Sequence, residues 1–401
     1  MAVAGLRGTG DWGTDERPKN FREMILWRQP NGSAPLTALL SKAKTEKTDD
    51  PEFSWWEEEM NALRLTVNFT TGYATTDLSI KVTSNVSDAT DVVAGDVFLV
   101  ESAITSAYSN EIVVATGNGQ ADGTIAFQRA ASGSTAKAIP NGTCLTKIGS
   151  VFAEGTGAPA AATRNPTKFM NLCQIFKTTY DITATAEKTK TRTGDPVKND
   201  KKRKMFDHSV AMEMAWLFGK RFETTGPNGK PLRFTGGFLW FLSQYAPNMI
   251  TAFTTTPTET AFTDAVYKVF DYQTNAGDER IVFAGNGFLN SLNRLANSQS
   301  RVRINYDGIV KEFGMNLQKW VMPQGTLYVK SHPLFNLHAR FTNDAFVFDP
   351  TVVKYRALRD TNFKDNIQAN DADEKKGQWL TEAGLELEHV KTTAWISNFV
   401  V

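Results

Sequence analysis

Apolar residues along this chain change period several times, and the longest stretch of one period is helical. Between Asp195 and Thr225, Met205, His208, Met212, Ala215, Gly219 and Phe222 recur at three- and four-residue steps. Phe206, Trp216, Leu217 and Phe218 widen the stripe. Asp195-Pro196 supplies an N-cap acceptor and a proline suited to the first helical position. Gly226-Pro227-Asn228-Gly229 is a turn that cannot continue a helix. The spacing predicts a helix over 195–225, about 29 helical residues and roughly 43 Å long, enough to cross a whole subunit.

Upstream the period falls to two. Leu63, Leu65, Val67 and Phe69 alternate with polar residues, following Trp55, Trp56 and the acidic run Glu57-Glu58-Glu59. From about 83 to 157 the chain turns to Gly, Ser, Thr, Ala and Val. Short strands at 97–100, 111–116, 124–129 and 143–148 are separated by Gly117-Asn118-Gly119 and Pro140-Asn141-Gly142, the spacing of a small β barrel or sandwich. Gly155 to Pro159 ends this module, and Asn171 to Thr193 is again extended. Two extended segments thus flank an inserted β domain and feed the helix. Downstream, 258–272 and 287–297 have helical stripes, while 280–284, 301–306, 317–322 and 326–329 read as strands. Together these form an α/β unit of about 100 residues. From Ala345 the pattern returns to β, with Leu385 and Leu387 alternating with Glu386 and Glu388 and a last apolar strand over 392–401. Residues 1–50 sustain no period, yet they carry Trp12, Phe21, Trp27 and several leucines. A disordered tail would lack these, and an arm lying along another surface requires them.

Composition narrows the function. Forty-four lysines and arginines against 43 aspartates and glutamates leave a net charge of +1, which argues against a dedicated nucleic-acid binder. Aromatics at 11% and hydrophobics at 41% describe an ordered globular protein. Cys144 and Cys173 have no metal or disulfide spacing, no apolar run approaches a membrane span, and the polar start is no signal peptide. A soluble protein made in the cytosol is the expectation. Gly285-Asn286-Gly287 between a strand and a helix lacks the third glycine of a dinucleotide site, Asn290 standing there, and Asn286 reads instead as a cap. His208, His332, His338 and His389 show no metal spacing, and His208 reads as packed on the long helix. No catalytic, cofactor-binding or metal residue is assigned, and the chain does not read as an enzyme. One charge cluster stands out: Lys198, Lys201, Lys202, Arg203 and Lys204 crowd the positive end of the helix dipole against only Asp195 and Asp200. They form either a solvated first turn or the complement of an acidic partner, for which Glu57 to Glu59 of an adjacent subunit is the obvious candidate.

This order of parts resembles the major capsid proteins of tailed bacteriophages, the Hong Kong 97-like fold. The inserted module (Gly95-Asp96-Val97-Phe98, Ala130-Ala131-Ser132-Gly133-Ser134, Gly142-Thr143-Cys144-Leu145, Glu154-Gly155) is similar to that of a subgroup with a β domain inside the extended loop. Asn171-Leu172-Cys173-Gln174-Ile175-Phe176, Phe346-Val347-Phe348-Asp349-Pro350 and Ala357-Leu358-Arg359-Asp360 also look like that subgroup. The resemblance implies an α+β fold with an N-terminal arm at 1–53 and an extended β loop at 54–82 and 158–194. The loop carries a small β barrel or sandwich at 83–157. A peripheral domain at 195–245 and 345–401 contains the spine helix 195–225, and an α/β axial domain fills 246–344. It also implies a shell protein forming pentamers and hexamers of an icosahedral head around double-stranded DNA, without cofactors. Scaffolding, portal and decoration proteins are possible partners, the DNA is held by non-specific contact, and no membrane is involved. Candidate subunit-interface residues are Trp12, Phe21, Trp27, Glu57, Glu58, Glu59, Lys201, Lys202 and Lys204. An encapsulin-like compartment shell and a β-rich adhesin or carbohydrate-binding protein are the alternatives.

Overall fold

The computed structural model describes residues 45–58, 63–82, 89–101, 111–163, 165–191, 194–272, 274, 277–298, 310–312, 315–337 and 339–401. In it the long helix begins as its sequence dictates. The Asp195 carboxylate accepts from the Val197 and Lys198 amides at 2.9 and 3.3 Å, and Pro196 opens the first turn. The far end differs. The helix is Pro196–Phe218, about 34 Å at 1.5 Å per residue, and Phe222–Thr225 pairs antiparallel with Pro231–Phe234 as a hairpin. Gly219 causes the early stop. A Cβ there would lie 2.3 Å from the Ala215 carbonyl oxygen and 2.6 Å from that of Thr235. Only glycine lets the returning backbone pass so close, and the Gly237 amide then donates to the Gly219 carbonyl. The apolar stripe is also shorter than its periodicity suggests. His208, Met212, Glu213, Trp216 and Leu217 are buried, whereas Met205 is half exposed.

Chain contacts divide the molecule into two compact units, residues 1–54 with 170–401 and residues 55–169. The first contains two larger sheets. One runs Thr45–Lys47, Val353–Lys364, Glu374–Leu387, Gln174–Thr183 in order, with the first pair parallel and the rest antiparallel. The long helix packs on it through His208, which bridges the hydroxyls of Thr178 (3.1 Å) and Thr381 (2.8 Å). Burial holds the His208 imidazole below its ordinary pKa. The other sheet has seven strands, in the order Ile250–Ala252, Ala394–Ser397, Ala345–Phe348, Glu279–Ala284, Gly325–Ser331, Met315–Met322, Val310–Glu312. Ala345–Phe348 lies inside it, antiparallel to Glu279–Ala284 on one side and to Ala394–Ser397 on the other. The sheet therefore draws on residues beyond 344, because four consecutive apolar residues, Ala345 to Phe348, can be buried on both faces only in a central strand. The alternation of Leu385 with Glu386 does not make a half-wet strand either. Both residues are buried, with Glu386 held by Arg356 and Lys354. The strand expected over 301–306 lies outside the described residues.

The second unit is a six-stranded sheet in the order Arg64–Thr66, Cys144–Ser150, Asp96–Val100, Ile112–Ala115, Thr124–Ala131, Ser79–Lys81. A bridge between Val67 and Val82 joins its two edges, so the sheet closes into a barrel. Alternate residues fill the inside, among them Leu65, Ile80, Phe98, Val113, Phe127 and Leu145. The period-two segment around Leu65 belongs to this barrel, which therefore reaches outside 83–157 and takes two strands from 54–82.

In the first unit the buried Asn171 gives the Asn171-Leu172-Cys173 run a physical reason. Its carboxamide nitrogen donates to the Leu385 carbonyl at 2.6 Å, the Gly236 carbonyl at 3.0 Å and the Thr235 hydroxyl at 3.3 Å. Its oxygen accepts from the Gly236 and Leu172 amides at 2.7 and 2.9 Å. Asn171→Leu keeps the volume and strands these groups, and should lower stability by about 2–3 kcal/mol. The urea midpoint of the full chain is the measurement.

Candidate functional site

The candidate surface residues are set by local structure. Strand Glu52–Glu57 alternates strictly, with Phe53 and Trp55 buried and Glu52, Ser54 and Trp56 exposed. It is one half of a two-stranded ribbon with Thr167–Leu172. Trp55 stacks on Phe169 at 6.0 Å, and its indole N–H donates to the Glu57 carboxylate at 2.9 Å. Trp56 is 62% exposed, and Glu58 follows it on the open face. In the helix cluster, the Lys201 ammonium lies 3.5 Å from the Phe363 ring centroid, a cation–π contact. Lys204 lies 3.6 Å from Asp207, and Lys202 is exposed. The structure thus finds partners for Lys201 and Lys204 within their own unit. Trp12, Phe21, Trp27 and Glu59 lie outside the described residues.

Two features escape the sequence pattern. The first is the hairpin 222–234, which presents Phe222, Leu232 and Phe234 to solvent beside the exposed Ile175. The second is a charge network where Thr45–Lys47 joins the four-stranded sheet. Glu46, in the middle of Thr45–Lys47, lies 2.6 Å from Arg356 and 3.7 Å from Lys354. Lys354 also meets Glu386 at 3.4 Å and Glu388 at 2.6 Å. Burial pushes the Glu386 carboxyl up despite its two cations. Against burial, the surrounding carboxylates raise the Lys354 ammonium. No local motif signals this network, since Glu46 and Arg356 are brought together only by the parallel pairing of Thr45–Lys47 with Tyr355–Ala357.

The glycines after Glu279–Ala284 serve packing. A Cβ on Gly285 would lie 2.2 Å from the Thr342 carbonyl oxygen, and one on Gly287 would lie 2.1 Å from Asn343 Oδ1. The space a phosphate would need at that helix start is filled by the 341–343 turn. Asn286 is the first helical residue, not the residue before it, and its side-chain oxygen accepts from the Ser331 hydroxyl. Burial pushes the Cys173 thiol up to about 12, and both cysteines are free. Among the described residues no group of three or more His, Cys, Asp or Glu is arranged to hold a metal ion.

Comparison with known proteins agrees with this architecture. The model of the family described as SU10 major capsid protein matches residues 6–399. The major capsid protein of Pseudomonas phage PaMx41 is 27% identical over 368 residues, covering 90% of this chain and 83% of that one. The capsid of a native GTA particle shares the fold over 98% of both chains at a TM-score of 0.50 and 8% identity. An encapsulin complex from Synechococcus elongatus covers 59% of this chain and 76% of its own at 10% identity, with a TM-score of 0.39, too low to decide anything.

Proposed function

The chain belongs to the SU10 major capsid protein family and is a phage major capsid protein, and from that premise we propose how it builds a shell. Copies assemble into pentamers and hexamers of an icosahedral head that encloses double-stranded DNA. The observation that carries this reading is the family match over 6–399, which spans both units. An adhesin or carbohydrate binder with the barrel as its working part would need only 55–169. Residues 1–53 act as an arm toward neighbouring subunits. The extended loop carries the barrel as a satellite, the long helix and four-stranded sheet form the peripheral domain, and the seven-stranded sheet is the core of the axial domain. The chain works in the virion without catalysis and is assembled in the host cytoplasm. Scaffolding, portal and decoration proteins are candidate partners, and it touches DNA without sequence preference. No helix among the described residues is long and apolar enough to cross a membrane.

Purified protein examined by negative stain tests the reading: closed shells containing DNA support it, enzyme-filled shells point to an encapsulin, and small discrete oligomers overturn it. Arm truncation gives a second test. Trp12, Phe21 and Trp27 each contribute on the order of 2–3 kcal/mol when fully buried. Deleting 1–44 leaves Thr45–Lys47 in place and should leave the melting temperature unchanged while abolishing particles. Early melting with normal shells from the surviving fraction would show that the arm covers its own subunit. The charged candidates Glu57, Glu58, Glu59, Lys201, Lys202 and Lys204 add about 0–1 kcal/mol per exposed pair, significant only when repeated across a shell. Particle yield should accordingly fall as salt is raised.

A further inference from the structure

The hairpin 222–234 and the Trp56 ribbon are opposites in charge and alike in exposed aromatic surface. A two-stranded hairpin is marginal in water. Here seven of its eight strand residues are exposed, Phe222 at 57% and Leu232 at 44%. Around it Lys220, Arg221, Lys230 and Arg233 stand against one carboxylate, Glu223. Arg233 lies 3.5 Å from Glu223, and Arg221 donates to the Met170 carbonyl and lies over the Trp240 ring. Lys220 and Lys230 make no ion pair among the described residues. The ribbon, with the residue after its first strand, carries Glu52, Glu57 and Glu58 against one cation, the exposed Lys168 of Thr167–Leu172. Glu52 and Glu58 flank the outward Trp56 on the same face.

Resting on the capsid reading, we propose that the hairpin of one subunit receives the Trp56 face of a second copy. Trp56 packs on Phe222, Leu232 and Phe234, and Glu52 and Glu58 meet Lys220 and Lys230. Charge selects this pairing over the self-pairings. Ribbon on ribbon would set six carboxylates against two lysines, and hairpin on hairpin would crowd eight cations against two carboxylates. Two different patches on one chain make a head-to-tail contact, the kind that closes into rings. An exposed tryptophan framed by charge is also the usual anchor of an interface. The pairing gives the acidic run a different partner from the helix cluster, where Lys201 and Lys204 have contacts within their own unit.

The test uses full-length chains. Lys230→Glu replaces attraction by repulsion and should reduce particle yield about tenfold, equivalent to 1.4 kcal/mol per contact. Glu58→Lys in the same chain should restore it, and melting should be unchanged in both. Separately, Trp56→Cys and Leu232→Cys chains, each with Cys144→Ser and a different tag, are mixed, assembled and mildly oxidised. A disulfide joining the two tags is expected. Wild-type particles with no mixed disulfide, or with yields indifferent to Lys230→Glu, overturn this contact and leave the capsid reading standing. Wild-type protein that forms no shells overturns both.

Discussion

Arg129→Met should cost the barrel about 3–5 kcal/mol, the usual penalty for stranding one member of a buried ion pair. The Arg129 guanidinium grips the buried Glu111 carboxylate at 2.6 and 3.0 Å. It also donates to the carbonyls of Ala74 (3.0 Å), Asp77 (3.2 Å) and Lys137. One side chain thus ties the 74–77 turn and the 137 segment to Thr124–Ala131. The substitution leaves Glu111 uncompensated and three carbonyls without their donor. Arg129→Lys should lose most of the same energy, since an ammonium cannot reproduce a two-pronged grip and three further bonds. Arg129→Met with Glu111→Leu should recover part of it, because no buried charge is then left alone. Hydrogen exchange at Asp96–Val100 and Thr124–Ala131 in the full chain reads the barrel alone. Equal protection in wild type and Arg129→Met would refute the assignment.

The same pair sets a pH dependence. Burial pushes the Glu111 carboxyl up, but the Arg129 bonds and the Lys137 and Ala130 amides outweigh it and hold it below the ordinary value. A depressed carboxylate stabilises the fold at pH above its unfolded value, about 4.3. That contribution disappears as pH falls from there through the folded value. Barrel protection should therefore be flat above about pH 5.5 and decline below about 4.3, with the decline much reduced in the double variant.

Element types were legible in the sequence wherever burial is one-sided or a cap is local. Asp195-Pro196 marks the helix start, and short strands between Gly-Asn turns mark a small β barrel or sandwich. What stayed hidden depends on backbone meeting backbone across distance. Gly219 reads as a member of the helical stripe, and only the Thr235 carbonyl beside it shows why the helix stops. Phe222 fits the same stripe and belongs to a hairpin. Likewise, Leu65 and Ile80 look like an extended loop until the Val67–Val82 bridge closes the barrel around them. Of the candidate surface, Glu58 could be named from the acidic run, but Trp56 could not, because Trp55 and Trp56 are adjacent and only the strand Glu52–Glu57 decides which of them is buried. The cations of the hairpin could not, since nothing in 220–233 distinguishes them until the helix is known to end early.

The last expected result concerns a pair that no spacing announces, Glu213 of the long helix and His332 after Gly325–Ser331. Both are fully buried, with Nε2 2.7 Å from the Glu213 carboxylate. The Leu334 amide donates to Nδ1 at 3.2 Å, which places the imidazole proton on Nε2, directed at Glu213. The ring also lies against Phe283 and Phe335, so the contact fixes the helix to the seven-stranded sheet and to its 333–337 turn. His332→Phe keeps the aromatic packing and removes the donor, leaving a buried carboxylate without its imidazole, at about 3–5 kcal/mol. Glu213→Gln retains an oxygen that accepts from Nε2–H and should cost only about 1 kcal/mol. Adding Glu213→Leu to His332→Phe should regain part of the loss. The ordering of the three urea midpoints tests the pair, with Glu213→Gln highest and His332→Phe lowest. If Glu213→Gln is as damaging as His332→Phe, the acceptor role is wrong and the carboxylate's charge, not its hydrogen bond, holds the helix to the sheet.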